Sequence, residues 1–250
     1  MIRLDPGFLA RPIAHRALHG AGRPENSEEA VLAAVEAGYG IEIDLQPSAD
    51  GQAMVFHDYD LGRLTFEKGP IGLRTAEELG RIPLKGGPSG IPTLPQILEI
   101  VAGRVPLLIE IKDQDLRLGP NVGPLEEATA KALQGYAGPV AVMSFNPHSV
   151  YKMAQLAPDI PRGLTTCDFN ADDWPLVPEV RRLELAQIPD IDGTGACFIS
   201  HDANDLSAAR VAALKAQGID ILCWTIRSAE AEGTARAGAQ NGTCEGQLAA

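Results

Sequence analysis

Short apolar runs alternate with helix-length amphipathic segments along almost the whole chain, and this alternation is what most narrows the folds open to it. The runs span 12–17, 41–45, 53–57, 105–112, 140–145, 163–166, 197–201 and 221–226. Between them the spacing predicts helices over 27–37, 94–102, 124–133, 147–156, 206–217 and 229–237. Asn26-Ser27 ahead of Glu28-Glu29 places a capping side chain and acids at the positive end of a helix, and Asn146-Pro147 pairs a cap with a first-turn proline. Gly38, Gly103 and Gly218 stand where helices should stop. Eight strand candidates alternating with helices over 250 residues imply an α/β fold, a single-domain TIM (β/α)8 barrel over residues 1–250. The rival, a doubly wound open sheet, lacks support because neither a Gly-x-Gly-x-x-Gly turn nor a Walker loop follows the first strand. The stretch 58–92 breaks the alternation. Rich in Gly and Pro, with one helical turn near 75–79, it reads as a small insertion after the third strand candidate, placed over the barrel mouth.

Charge excludes whole classes of partner. With 33 acidic against 21 basic side chains the net charge is −12, and no basic run exceeds the pair Arg181-Arg182. Nucleic acid is therefore not an expected partner, and neither is an anionic membrane surface. No stretch approaches the roughly 18 apolar residues needed to span a bilayer, and the first residues lack the profile of a secretion signal, so a cytoplasmic location is expected. Cys167, Cys197, Cys223 and Cys244 show no metal-binding spacing and read as small core residues.

Polar residues interrupt the apolar strands at a few places only. In Ile41-Glu42-Ile43-Asp44-Leu45 a period of two puts both carboxylates on one face. The same alternation in Leu107-Leu108-Ile109-Glu110-Ile111-Lys112 sends Glu110 and Lys112 inward beside Leu108. Taken singly, each acid could be a strand-end surface charge, and Glu110 could simply pair with Arg16 or Lys112. Three acids in otherwise apolar strands are too costly to bury without a counter-charge, however, and one divalent cation between them resolves the repulsion. Oxygen-only ligands favour Mg²⁺ or Ca²⁺ over Zn²⁺. His15-Arg16 ends the first strand candidate and His57-Asp58 the third, which brings two imidazoles to the same mouth as candidates for proton transfer. His19, His148 and His201 lack that setting and read as structural or surface residues. A cation, Arg16 and Lys112 together suit a phosphate oxyanion, so the implied substrate is a phosphate ester.

These residues fall in an ordered series: His15-Arg16, Pro24-Glu25-Asn26-Ser27, Glu42-Ile43-Asp44, Asp50-Gly51, Val55-Phe56-His57-Asp58, Ile91-Pro92-Thr93-Leu94, Glu110-Ile111-Lys112, Ser144-Phe145 and Trp224-Thr225. The series resembles the motifs of glycerophosphodiester phosphodiesterases, from about Ile13 to Ile226. The resemblance implies a TIM barrel with an insertion after the His-Asp motif, and a divalent cation on the carboxylates Glu42, Asp44 and Glu110. It implies hydrolysis of a small glycerophosphodiester to glycerol 3-phosphate and an alcohol, with His15 and His57 as general acid and base. Arg16 and Lys112 would stabilise phosphoryl charge, and Phe145 and Trp224 would meet the substrate's carbon skeleton or pack within the barrel. Asn26 could orient a site residue or cap a helix. Two other readings stand beside this one: a phospholipase-D-like lyase on the same barrel, and an inactive barrel that only binds.

The sequence departs from the family pattern at Ala17, where Gly is usual, and at Ser27, where Thr is usual. It also departs in 238–246, which lacks the Val-Asp-Gly-Ile-x-Thr-Asp run closing many members. If position 17 needs a positive φ, Ala costs about 1 kcal/mol.

Overall fold

The computed structural model describes residues 2–245. Nine strands form: β1 (Ile13–Ala14), β2 (Gly40–Pro47), β3 (Ala53–Val55), β4 (Leu107–Ile111), β5 (Val140–Ser144), β6 (Arg162–Thr166), β7 (Phe198–Asp202), β8 (Asp220–Ile226) and β9 (Asn241–Cys244). Eight of them, all but β3, pair in parallel in the order β1-β2-β4-β5-β6-β7-β8-β9, and β9 returns to β1. The result is a closed TIM barrel. Its main covering helices are α2 (Glu28–Ala37), α4 (Leu94–Val101), α5 (Pro124–Leu133), α6 (Pro147–Leu156), α9 (Ala209–Ala216) and α10 (Ala229–Ala235). Shorter helices α1 (Gly7–Ala10), α3 (Ala76–Gly80), α7 (Glu179–Leu185) and α8 (Ile191–Thr194) occupy the ends and excursions.

The count of eight staves agrees with the sequence, but their membership does not. The run 53–57 is no stave: β3 folds back antiparallel on β2 through the turn at Gly51, whose φ is +75°. The eighth stave is β9, within the 238–246 segment, which has no strand signal. Asn241-Gly-Thr-Cys has no apolar run, and its strand state comes from partners. It pairs with β1 and β8, and the Asn241 amide donates to the carbonyls of Phe8 (2.7 Å) and Arg11 (2.6 Å). Gly242 is required there, since a Cβ would lie 2.6 Å from Cys223 Sγ and 2.9 Å from its carbonyl oxygen.

Outward-facing strand residues such as Ile41, Ile43, Ile109 and Val142 pack under the helices. Inside, Ile13, Leu108, Ala141, Met143, Phe198 and Leu222 fill the lower barrel, and Phe8 of α1 joins them. Full burial of Phe8 contributes about 2–3 kcal/mol. The insertion 58–92 builds a small core from Leu61, Ile71, Leu79, Ile82 and Leu84, which pack with Phe56 of the segment just before it. That makes it a folded side wall of the barrel mouth.

Candidate active site

Strand register brings the acids together. Asp44 of β2 and Glu110 of β4 are direct Cα partners, and Glu42 lies one pleat lower on the same inward face. All three are buried, and each brings a carboxylate oxygen within 4.8 Å of the other two. Lys112 Nζ lies 2.7 Å from Asp44 Oδ1 and 2.6 Å from Glu110 Oε1. Among the described residues Glu42 forms no ion pair, and it accepts the backbone N–H of Arg16 at 2.8 Å.

Electrostatics follow from this unequal sharing. Burial, then repulsion from Asp44 and Glu110, pushes the Glu42 pKa well above the ordinary carboxylate range. Burial would also raise Asp44, but Lys112, with His57 and Arg16, holds it below that range. Burial alone would lower Lys112, yet Asp44 and Glu110 keep it firmly charged. A cluster of three buried carboxylates served by only two cationic side chains, Arg16 and Lys112, has the donor set and the charge imbalance of a divalent-cation site. Glu42, Asp44 and Glu110 could hold such an ion.

Asn26 fixes Asp44 from behind. Its Nδ2 donates to Asp44 Oδ2 at 2.8 Å, and its Oδ1 accepts the Asp44 N–H at 3.2 Å. The helix cap is instead Ser27, whose hydroxyl accepts from Ala30 N–H. Arg16, Ala17 and Asn26 have φ of 52°, 63° and 59°, an uncommon left-handed conformation for non-glycine residues. Position 17 therefore does need the positive φ that Gly would supply without strain.

His57 closes a second network. Its Nδ1 lies 2.7 Å from Asp58 Oδ1; Arg63 donates to Asp58 at 2.6 and 2.8 Å and to Glu25 at 2.9 and 2.7 Å; Arg16 donates to Glu25 at 2.9 Å. Burial would raise Asp58, but His57 and Arg63 keep its carboxyl below the usual range. His15 is driven down to about 3, first by burial and then by Arg16, so its imidazole is neutral at pH 7.

An inner chamber of about 150 Å³ is lined by His15, Arg16, Glu42, His57, Glu110, Lys112, Phe145 and Trp224 among others. Asp44 sits against it through Lys112. Phe145 and Trp224 pack edge to face at 5.5 Å, so they line the chamber and pack in the wall at once. His57, Glu110, Lys112 and Phe145 also border an outer trough of about 690 Å³, whose far side carries Tyr59, Leu116, Trp174 and Leu176. Every sequence-predicted site residue is at this one place. Of the other histidines, His148 is exposed, and His201 is buried between Thr166 (2.8 Å) and Asp205 (3.1 Å).

Comparison with known proteins supplies the identity. The model of the glycerophosphoryl diester phosphodiesterase family matches residues 15–241. The chain belongs to that family. With it, the protein is placed among the phosphoric diester hydrolases. The glycerophosphodiester phosphodiesterase of Bacillus altitudinis is 32% identical over 171 residues, 64% of this chain and 68% of that one. That of Caldanaerobacter subterraneus is 32% identical over 162 residues, 61% of this chain and 65% of the relative. The structure of an Oleispira antarctica phosphodiesterase in complex with the product sn-glycerol-3-phosphate superposes with a TM-score of 0.76 at 24% identity, covering 95% of this chain and 94% of that one. At that identity the likeness establishes the shared barrel.

Sequence reasoning missed several residues that this family member assembles at its site. Glu25 stands in a family motif with no role that its neighbours disclose, and Arg63, Tyr59 and Trp174 lie in loops with no local signal. Trp174 packs on Phe145 at 4.8 Å and on Phe169 at 5.2 Å, an aromatic cluster that only the folded β6–α7 excursion creates.

Proposed function

We propose that this chain hydrolyses small glycerophosphodiesters to sn-glycerol 3-phosphate and an alcohol, using one divalent cation, Mg²⁺ or Ca²⁺, on Glu42, Asp44 and Glu110. The observation that carries the reading is one chamber lined by Glu42, Glu110, two imidazoles, Arg16 and Lys112, with the third buried carboxylate, Asp44, grouped with the other two and paired to Lys112. When bound, the cation would supply Lewis-acid charge for a non-bridging phosphate oxygen. Arg16 and Lys112 add fixed positive charge beside the phosphoryl group, in a wall preorganised by Glu25, Asn26 and Arg63. His15 and His57 border the chamber as proton donor and acceptor, one taking the proton of the nucleophile, either water or the glycerol's neighbouring hydroxyl with water then opening the cyclic phosphate, and the other giving a proton to the leaving oxygen. The inner chamber takes the glycerol phosphate half. The trough beyond Phe145 takes the leaving alcohol against Trp174 and Leu116.

Among the described residues no helix is long and apolar enough to cross a membrane. The four free cysteines, three of them buried, suit a reducing compartment and with it the cytoplasm. The test is glycerol 3-phosphate release from a panel of glycerophosphodiesters with added Mg²⁺ or Ca²⁺, repeated with a chelator. Release that depends on the cation is expected. A cyclic phosphate as sole product would replace the hydrolase with a lyase, and binding without any product would leave an inactive barrel.

A further inference from the structure

The two chamber imidazoles are backed unequally in one respect and alike in another. Behind His57 stands a carboxylate, Asp58, held by a guanidinium, Arg63. Behind His15 the same order recurs: Glu245 Oε2 is 3.9 Å from His15 Nδ1 and accepts a 2.9 Å hydrogen bond from Arg227 Nε. Among the described residues the buried His15 Nδ1 has no hydrogen-bond partner, and the second Glu245 oxygen lies 3.6 Å from Nε2 of His19, which likewise has none among them.

Backbone pairing fixes this placement. The His15 N–H donates to Cys244 O at 2.9 Å, and the Glu245 N–H donates to Ile226 O at 2.9 Å, so closure of the barrel by β9 delivers Glu245 between His15 and Arg227. A neutral imidazole has two tautomers, and the one that serves the chamber carries its proton on Nδ1, leaving Nε2 free toward substrate. A carboxylate at Nδ1 selects that tautomer and ring orientation, and it would equally stabilise an imidazolium. The 3.9 Å separation exceeds a hydrogen bond, as catalytic contacts often do before substrate binds.

Building on the two-histidine reading above, we infer that Glu245, held by Arg227, is the positioning residue of His15, the counterpart of Asp58 at His57. Glu245 makes and breaks no bond to substrate. Its role is to hold the proton on His15 Nδ1 and aim Nε2 into the chamber.

The test compares Glu245→Gln, Glu245→Ala and Glu245→Asp with the wild type at saturating cation. It reads kcat and KM together with the ¹⁵N shifts of the His15 ring, assigned by their loss in His15→Ala. Glu245→Gln and Glu245→Ala are expected to lower kcat roughly tenfold to a hundredfold with KM within about twofold, and Glu245→Asp to recover most of it. The ring shifts should move from an Nδ1-protonated imidazole toward a tautomer mixture in Glu245→Ala. A Glu245→Ala enzyme with kcat within about twofold of wild type, or with unchanged ring shifts, would overturn the assignment. Should Glu245→Ala fail to fold, the near-isosteric Glu245→Gln variant decides by the same two readouts. If the wild type releases no glycerol 3-phosphate, the hydrolase reading fails on its own while the ring shifts still decide whether Glu245 sets the tautomer.

Discussion

On the side of β1, β2 and β4 the chamber wall carries His15, Arg16, Glu42, Glu110 and Lys112, whereas on the side of β5, β8 and β9 it carries Met143, Phe145, Trp224 and Thr243. The first wall is held by reciprocal hydrogen bonds and ion pairs, in which shared members tie neighbours together: Lys112 joins Asp44 to Glu110, and Glu25 joins Arg16 to Arg63. The second is held by ring contacts at 4.8 to 6.2 Å among Phe145, Phe169, Trp174 and Trp224. Removing one member of the charged wall strands a buried partner, and the loss spreads through the network. Removing one ring leaves the other rings partly packed, and the loss stays graded.

That contrast is broken most directly at Glu42. Glu42→Gln should abolish tight cation binding and lower turnover on the order of 10³-fold, the equivalent of several kcal/mol of lost charge stabilisation; calorimetric titration and product release measure the two effects side by side. The sign of the pH dependence follows from the same residue. Because its folded pKa is raised, the cation-free protein keeps a proton on Glu42 above the ordinary carboxylate range, and an incoming cation must expel it. Affinity in the wild type should therefore rise with pH until Glu42 ionises, with proton release visible as a buffer-dependent heat, and Glu42→Gln should lose that release.

Asn26→Ala comes next, since it strips both hydrogen bonds from Asp44 without touching a carboxylate. A roughly 10- to 100-fold fall in cation affinity is expected, read by the same titration. Trp174→Ala tests the aromatic wall: KM should rise by at most about tenfold, matching the ~0.5–1.5 kcal/mol of an aromatic pair, with kcat changed little. A large kcat loss there would mean that the two walls are coupled. Smallest is Ala17→Gly, which relieves the left-handed strain at φ 63° and should stabilise the fold by about 0.5–1 kcal/mol in a denaturant melt, with activity unchanged.

Much of the charged wall is legible in the sequence. The period of two alone places Glu42 with Asp44, and Glu110 with Lys112, on one face, and the register that makes Asp44 and Glu110 neighbours follows once β2 pairs with β4. The aromatic wall is half legible: Phe145 directly follows β5 and Trp224 lies within β8, but Trp174 and Phe169 reach them from a loop whose path nothing local dictates. The barrel itself is legible in class and not in membership. The run 53–57 has the composition of a stave and becomes the antiparallel partner of β2, because the tight turn at Gly51 reverses the chain before any helix can intervene. Asn241–Cys244 has no strand composition and becomes a stave, because β1 and β8 leave one ladder open between them.

The sequence by itself determined which side chains share a strand face, where helices start and stop, and that several acids must find a counter-charge, since each of these depends on residues a few positions apart. Only the tertiary structure decided which strands close the barrel, that Glu25 and Arg63, 38 residues apart, tie Arg16 to the His57–Asp58 pair, and that Glu245 meets His15. Those contacts join segments far apart in the chain, and their geometry is set by strand pairing and loop closure, which no local periodicity records.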